Sequence, residues 1–211
     1  MSAMDPPLQE RVYAGLKADY LAGHFVPGKR IDLQDLANRH RSSKTPVREA
    51  AFILVGEGLL THHADGGFLV PVLAPTDTVE LLEWHMQLML ATISALKETA
   101  VRSVLSQYSS KGTVLSAVEV ANRTMEFFTS MASAIGNREA SAQVRLVNER
   151  LHYIRIANYE NPILAEKELA ALTSLNVKDV QKATRRRVET YHLRKIRHQR
   201  MIIQETELGE R

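Results

Sequence analysis

Lys44, Thr45 and Arg48 stand close together in Ser43-Lys44-Thr45-Pro46-Val47-Arg48-Glu49-Ala50-Ala51, and their side chains share one chemistry. An ammonium, a hydroxyl and a guanidinium all donate hydrogen bonds to phosphate oxygens and to the acceptor edges of bases. To act together they need a common helix start. A hydroxyl residue and a proline ahead of an apolar-periodic run predict one, with Thr45 as N-cap and Pro46 at the first helical position. Glu49 then falls in the first turn, where the helix dipole favours a carboxylate. Val47, Ala51 and Leu54 share a face, which leaves Lys44, Thr45 and Arg48 at the exposed end. Such an end suits a DNA major groove, whereas a capped surface helix with solvated charges is the plainer reading of the stretch alone.

The neighbouring elements decide between these readings. Residues 8–25 predict a helix with Val12, Leu16, Tyr20 and Leu21 as its apolar stripe, ended by Gly23 and Pro27-Gly28. Lys29 to Leu33 reads as a short strand, and Leu33 to Arg39 as a brief second helix. His40 to Ser43 is a turn, and the helix beyond it runs to about Glu57 before Gly58. Leu59 to His63 and Phe68 to Val72 are apolar runs flanking Ala64-Asp65-Gly66-Gly67, a strong hairpin signal. Helix, helix, turn, helix and hairpin form the layout of a winged helix-turn-helix.

Composition sets the outer bounds. The chain has 211 residues, 45% of them hydrophobic and 24% charged, with a net charge of +3, which suits a globular protein and permits nucleic acid as a partner. Cysteine is absent, so disulfides, thiolate metal sites and cysteine nucleophiles are excluded. A cytoplasmic location fits that absence. No membrane span is expected, and the polar start from Met1 to Leu8 lacks the apolar core of a signal peptide.

Leu36-Ala37, Ser43 to Ala50, Glu57-Gly58-Leu59-Leu60 and Gly67-Phe68-Leu69-Val70, in that order, resemble the DNA-binding domain of GntR-type bacterial regulators over roughly residues 8–72. The resemblance implies major-groove contacts by Lys44, Thr45 and Arg48, a phosphate or base contact by Gln34, and a wing tip at Asp65-Gly66-Gly67 near the minor groove. Arg41, Ser43 and His63 complete the expected DNA-binding set with Gly66 and Gly67. Lys44 stands where the family usually has arginine, so phosphate binding survives better than bidentate guanine readout. His40 and Arg41 replace a usual leucine and glycine in the turn. For His62 and His63, solvated or packing roles compete with DNA contact. Phe52, Ile53 and Val55 fill positions that such regulators mostly give to charge. They predict either a wider core or an apolar patch that docks on the second domain or a partner subunit.

Residues 1–72 are thus expected to form the winged domain, 73–78 a linker capped into the next helix by Thr76 or Thr78, and 79–211 an all-α bundle. Helices are predicted over 79–105, 114–135, 140–159, 162–172 and 178–207, with breaks at Ser106–Gly112 and Gly136-Asn137. The fold class is mainly α. The bundle resembles the effector-binding and dimerisation domain of the FadR-like (FCD) subgroup, in helix layout, in Phe127 followed by Ile135-Gly136-Asn137, and in His192-Leu193. Many members of that subgroup hold a divalent metal with one aspartate and three histidines. Here those places align with Thr124, Phe128, Leu169 or Ala170, and His192, and a lone histidine makes no tight site. No metal and no cofactor are expected.

His85 and Met89 replace an arginine and a glutamate on the entry helix, which weakens the expectation of an organic-acid effector. The candidate effector residues are His85, Met89, Thr124, Phe128, Arg145, Asn148, Tyr191 and His192. Met86, Met125, Met131 and Phe127 fit a core or an adaptable apolar pocket. The basic residues Arg185 to Arg187, Arg194, Lys195, Arg197 and Arg200 read as a solvated helix face, with an added DNA contact as the alternative. No nucleophile motif, paired carboxylates or phosphate loop supports an enzyme. The expected function is a homodimeric repressor on a palindromic DNA operator, released by a small effector, either apolar or an organic acid. The alternative is a ligand-independent DNA-binding protein whose bundle serves dimerisation or partner binding.

Overall fold

The structure is a computed structural model that describes residues 7–108, 116–159 and 161–209. The chain divides into two compact units, Met1–Val72 and Leu73–Arg211.

The first unit contains α1 (Leu8–Leu21), α2 (Leu33–Arg39), α3 (Lys44–Gly56), β1 (Thr61–His62) and β2 (Phe68–Leu69). Its core forms because Val12, Leu16 and Tyr20 recur at helical spacing on α1 and bury with Val47, Ala50, Ala51 and Leu54 of α3. Leu36 and Ala37 of α2 join them, with Leu59, Leu60, Phe68 and Val70 around the hairpin. At its rim, Lys17 pairs with Glu57 at 3.0 Å, and Tyr13 hydrogen-bonds the same carboxylate. The strands pair antiparallel, with Thr61 opposite Leu69 and His62 opposite Phe68.

Several boundaries differ from the sequence expectation. Helix α1 ends at Leu21, four residues before Phe25, with Gly23 in the left-handed region at φ 72°. The strand expected over Lys29–Leu33 reduces to one bridge, Arg30 with Leu69. Helix α3 starts at Lys44 with Ser43 in the N-cap place, so Thr45 is not the cap. Pro46 is the third helical residue, where its missing N–H is still unneeded. Glu49 consequently lies beyond the first turn, which holds no acidic residue.

The second unit is helical, with α4 (Pro75–Ala95), α5 (Glu98–Tyr108), α6 (Ala117–Ser133), α7 (Arg138–Arg150), α8 (His152–Asn158), α9 (Pro162–Thr173) and α10 (Val180–Gly209). Residues 75–78, expected to be linker, form the first turn of α4. Ala74 is its N-cap, and neither Thr76 nor Thr78 caps it; the Thr78 hydroxyl donates to the Ala74 carbonyl at 3.0 Å. The single helix expected over 79–105 is two. At Leu96 the backbone turns extended (ψ 146°), and Gln181 of α10 donates to the Ile93 and Leu96 carbonyls at 2.9 and 2.6 Å. The helix expected over 140–159 also divides, at Leu151. Helix α6 starts with a reciprocal capping box between Ser116 and Glu119. The break at Ser106–Gly112 and the start at Val114 lie partly or wholly outside the described residues. Met89, Ile93, Phe127, Phe128, Met131, Val188 and Tyr191 form the largest core cluster.

Candidate nucleic-acid interface

Helix α3 presents an unneutralised positive end. The Ser43 side chain makes no capping bond, and Lys44, Thr45 and Arg48 are exposed. The first-turn N–H groups and the helix dipole therefore reinforce the Lys44 ammonium. Gln34 is exposed near the start of α2, where the Asp32 carboxylate caps the backbone N–H groups of Gln34 and Asp35 at 2.7 and 3.3 Å. Arg30, Gln34, Lys44, Arg48 and Gly67 line one open concavity of about 430 Å³. Among the described residues no ion pair involves Arg30, Lys44 or Arg48. Some other cations are paired, as Arg102 is with Glu98 and Lys195 with Glu168.

Arg41 adopts φ 48°, the one non-glycine residue in the left-handed region among those described. The turn thus keeps a glycine-like conformation with an exposed cation at its apex. His40, just before it, points inward: its Nε2 lies 2.9 Å from Asp19 of α1. His24 and Arg39 approach the same carboxylate at 3.1 and 3.3 Å. Burial would raise the Asp19 carboxyl, but the hydrogen bonds from His40 and His24 and the Arg39 charge overcome it and hold the group below its usual range.

At the wing, Gly66 and Gly67 have φ 83° and 88°, which only glycine takes without strain. His63 N–H donates to the Gly67 carbonyl at 3.0 Å, and His63 Nδ1 accepts from the Asp65 N–H at 3.1 Å, so this ring closes the hairpin turn. Phe52 lies edge-on to Phe68 at 5.2 Å and beside His62 at 5.8 Å, yet remains 52% exposed. Leu54 is buried and Ile53 faces outward, so the apolar run divides between core and surface.

In the helical unit, His85, Met89, Thr124, Phe128, Asn148, Tyr191 and His192 are all buried, whereas Arg145 is exposed. Arg145 lines a separate groove of about 600 Å³ with Tyr108, Met125, Thr129 and Ser130. Phe128 packs against His85 at 4.9 Å, His192 at 5.5 Å and Tyr191 at 5.7 Å. His192 Nδ1 donates to the Val188 carbonyl at 2.7 Å, which leaves its Nε2 to accept from His85 Nδ1 at 2.7 Å. His85 Nε2 is then a buried acceptor without a hydrogen-bond partner among the described residues. Burial pushes His85 well below its ordinary value, helped by His192 and Arg155. Burial likewise pushes His192 down to about 4, against the opposing Val188 hydrogen bond.

These residues do not fit the metal of the FadR-like subgroup. Thr124 commits its hydroxyl to the Val120 carbonyl at 2.8 Å, Phe128 offers no donor, and the lone pair of His192 Nε2 is already engaged. No group of three or more histidine or acidic side chains suited to a metal occurs among the described residues.

Two residues at these sites carry no sequence signal of their role. Arg30 falls within the expected strand, and its position under the wing depends on a backbone pairing that periodicity does not reveal. Arg155 is a buried guanidinium on α8; its Nη1 donates to the Asn148 carbonyl at 3.0 Å and its Cζ lies 5.6 Å from the centre of the Phe128 ring. No spacing marks it.

The fold and the cationic end of α3 define a winged-helix DNA-binding protein with a helical second unit. The family described as Bacterial regulatory proteins, gntR family, matches residues 8–70. The chain is 30% identical over 159 residues to the "Nta operon transcriptional regulator" of Aminobacter aminovorans, covering 72% of this chain and 75% of that protein. It is 26% identical over 170 residues to the HTH-type transcriptional regulator YdhC of Bacillus subtilis (strain 168), covering 76% of this chain and 75% of that one. Among solved structures, a GntR transcriptional regulator from Rhodococcus sp. RHA1 superposes with a TM-score of 0.70 at 20% identity, covering 89% of this chain and 97% of its own. E. coli McbR/YncC gives 0.67 at 20% identity, covering 96% and 100%. The chain belongs to the GntR family of DNA-binding transcription regulators.

Proposed function

We propose that this regulator is a homodimeric repressor of bacterial metabolism, acting in the cytoplasm on a palindromic operator and released by a small molecule bound in its helical unit. The uncapped, acid-free start of α3, with Lys44, Thr45 and Arg48, carries the DNA half of this reading. An end that holds several positive groups without a counter-charge is matched to a polyanion. One winged unit reads one half-site, so two copies related by a two-fold axis read an inverted repeat. Gln34, Arg41, Ser43, His63, Gly66 and Gly67 surround that helix in the role of positioning contacts.

The effector half rests on the helical unit's buried, incompletely paired polar atoms. Among the described residues, His85 Nε2, Asn148 Oδ1 and one Arg155 nitrogen have no hydrogen-bond partner, and a bound polar molecule would satisfy such groups. A ligand that prefers one pose of the protein shifts operator affinity by the difference in its binding to the two poses. A second reading, in which the unit serves dimerisation or partner binding alone, is favoured by one observation. Phe128 fills the space beside both His85 and His192.

Selection of duplexes from a random library, followed by footprinting, tests the first half. The expected result is an inverted repeat whose half-sites lie about 10 base pairs apart centre to centre, or a multiple of that. Protection of a single unrepeated site by one copy contradicts it. Thermal-shift screening against organic acids and apolar ligands tests the second half. A stabilising ligand that also loosens the operator complex supports release by an effector, and a screen without one favours the ligand-independent reading.

A further inference from the structure

Arg30 lies apart from the helix that enters the groove, yet it opens into the same concavity as Lys44 and Arg48. Its backbone is fixed to the wing. Arg30 bridges Leu69, the Ile31 N–H donates to the Phe68 carbonyl at 2.8 Å, and the Gly28 N–H donates to the Val70 carbonyl at 2.9 Å. Residues 28–31 therefore run along β2 as a third, short edge.

From that edge the Arg30 side chain passes beneath Gly67. A Cβ on Gly67 would stand 3.0 Å from Arg30 Nε and 3.6 Å from one terminal nitrogen. Gly67 is thus required twice, by its φ of 88° and by the guanidinium lying against it. Asp32 also lines the concavity, but its carboxylate already caps α2. Among the described residues of the cleft, none neutralises Arg30.

We propose that Arg30 is a DNA phosphate-binding residue that ties the wing to the recognition helix along one stretch of backbone. The proposal rests on the reading of Lys44 and Arg48 as the DNA interface. A nucleic-acid strand passing from α3 toward the wing crosses this cleft, and a guanidinium matches a phosphate with two parallel hydrogen bonds. Because Arg30 stands on the wing edge and not on α3, its contact fixes pose and strength and reads no base. Its contribution is equal on any sequence.

The test compares the full-length protein with Arg30→Gln, which keeps a polar stem beneath Gly67 but removes the charge. Two probes are titrated over a range of salt: a duplex enriched by the parent protein from a random library, and a random-sequence duplex of equal length. The variant is expected to unfold at the parent temperature and to bind both duplexes about tenfold more weakly. The slope of log K against log salt should shrink by about one. Arg30→Lys should keep the parent slope, and adding Arg30→Gln to Gly67→Ala should cost less than Arg30→Gln alone. Unchanged affinity and slope in Arg30→Gln overturn the proposal, and so does a loss confined to the enriched duplex. Lys44→Ala with Arg48→Ala is run beside it. If that variant weakens binding and Arg30→Gln does not, only Arg30's role falls; if neither weakens it, the reading of the interface falls as well.

Discussion

His40 Nε2 lies 2.9 Å from the Asp19 carboxylate, and the same ring occupies the space above Gly15, where a Cβ would come within 2.5 Å of its Nδ1. This contact joins the helix-turn-helix turn to α1. It gives Gly15 an unusual role, because a glycine within a helix ordinarily costs about 1 kcal/mol relative to alanine.

Gly15→Ala is therefore expected to destabilise the winged unit despite its better helix propensity. The new methyl group must displace His40 and leave Asp19 short of a charge-assisted hydrogen bond worth about 1.5–3 kcal/mol. In a His40→Ala background the same change should become stabilising. Urea denaturation of the four proteins checks the reversal of sign, and a Gly15→Ala variant that is stabilised in the parent background contradicts the wedge.

The same carboxylate gives a pH dependence. The Asp19 carboxyl is held below its ordinary value of 3.8 in the folded state, so its stabilising effect is present above that pH. It is lost as pH falls through the lower, folded value. Asp19→Asn should flatten the acid limb of the winged unit's stability curve, measured by circular dichroism.

The histidine pair of the helical unit acts at higher pH. The folded His192 value of about 4 lies below the ordinary 6.5, and His85 is also depressed. The unfolded chain then binds more protons between these limits, so stability is full above pH 6.5 and falls as the pH drops toward 4. His192 contributes at most about 1.4 kcal/mol per pH unit over that window. Arg155 sharpens the effect, since a protonated ring would be buried near a second cation. His85→Gln should reduce the slope of the unfolding midpoint against pH; an unchanged slope counts against the buried neutral pair.

Much of the winged unit is readable in the sequence because its signals are local. Pro46, Gly58 and Gly66-Gly67 punctuate it, and Leu36-Ala37 and Val47, Ala51 and Leu54 keep helical period. The cap is ambiguous since Ser43 and Thr45 are both hydroxyl residues, and proline is tolerated through the first turn. Arg41 stands out in the sequence as a departure from glycine, but its left-handed φ shows that the turn kept its shape and accepted the strain. The helical unit is harder to read. No glycine or proline marks the break after Ala95; Gln181, 85 residues away in sequence from Leu96, satisfies the freed carbonyl there. Arg145 shares helical spacing with residues that the fold buries elsewhere, because periodicity does not say which faces meet.

The Gln181 hydrogen bonds are themselves open to test. Gln181→Ala leaves the Ile93 and Leu96 carbonyls without that donor and should cost about 1–3 kcal/mol if they stay dry. Thermal unfolding of the full chain reads it, and a midpoint equal to the parent's would mean that water replaces the side chain.

The most direct measurement is the affinity of Lys44→Ala with Arg48→Ala for the enriched duplex and for random-sequence DNA, each titrated across salt concentration. Removing a side chain that reads a base edge is expected to cost about 1–3 kcal/mol of discrimination, so the preference for the enriched duplex should largely vanish and the salt slope should fall by up to about two. A double variant that keeps the parent preference and the parent slope contradicts DNA recognition by α3.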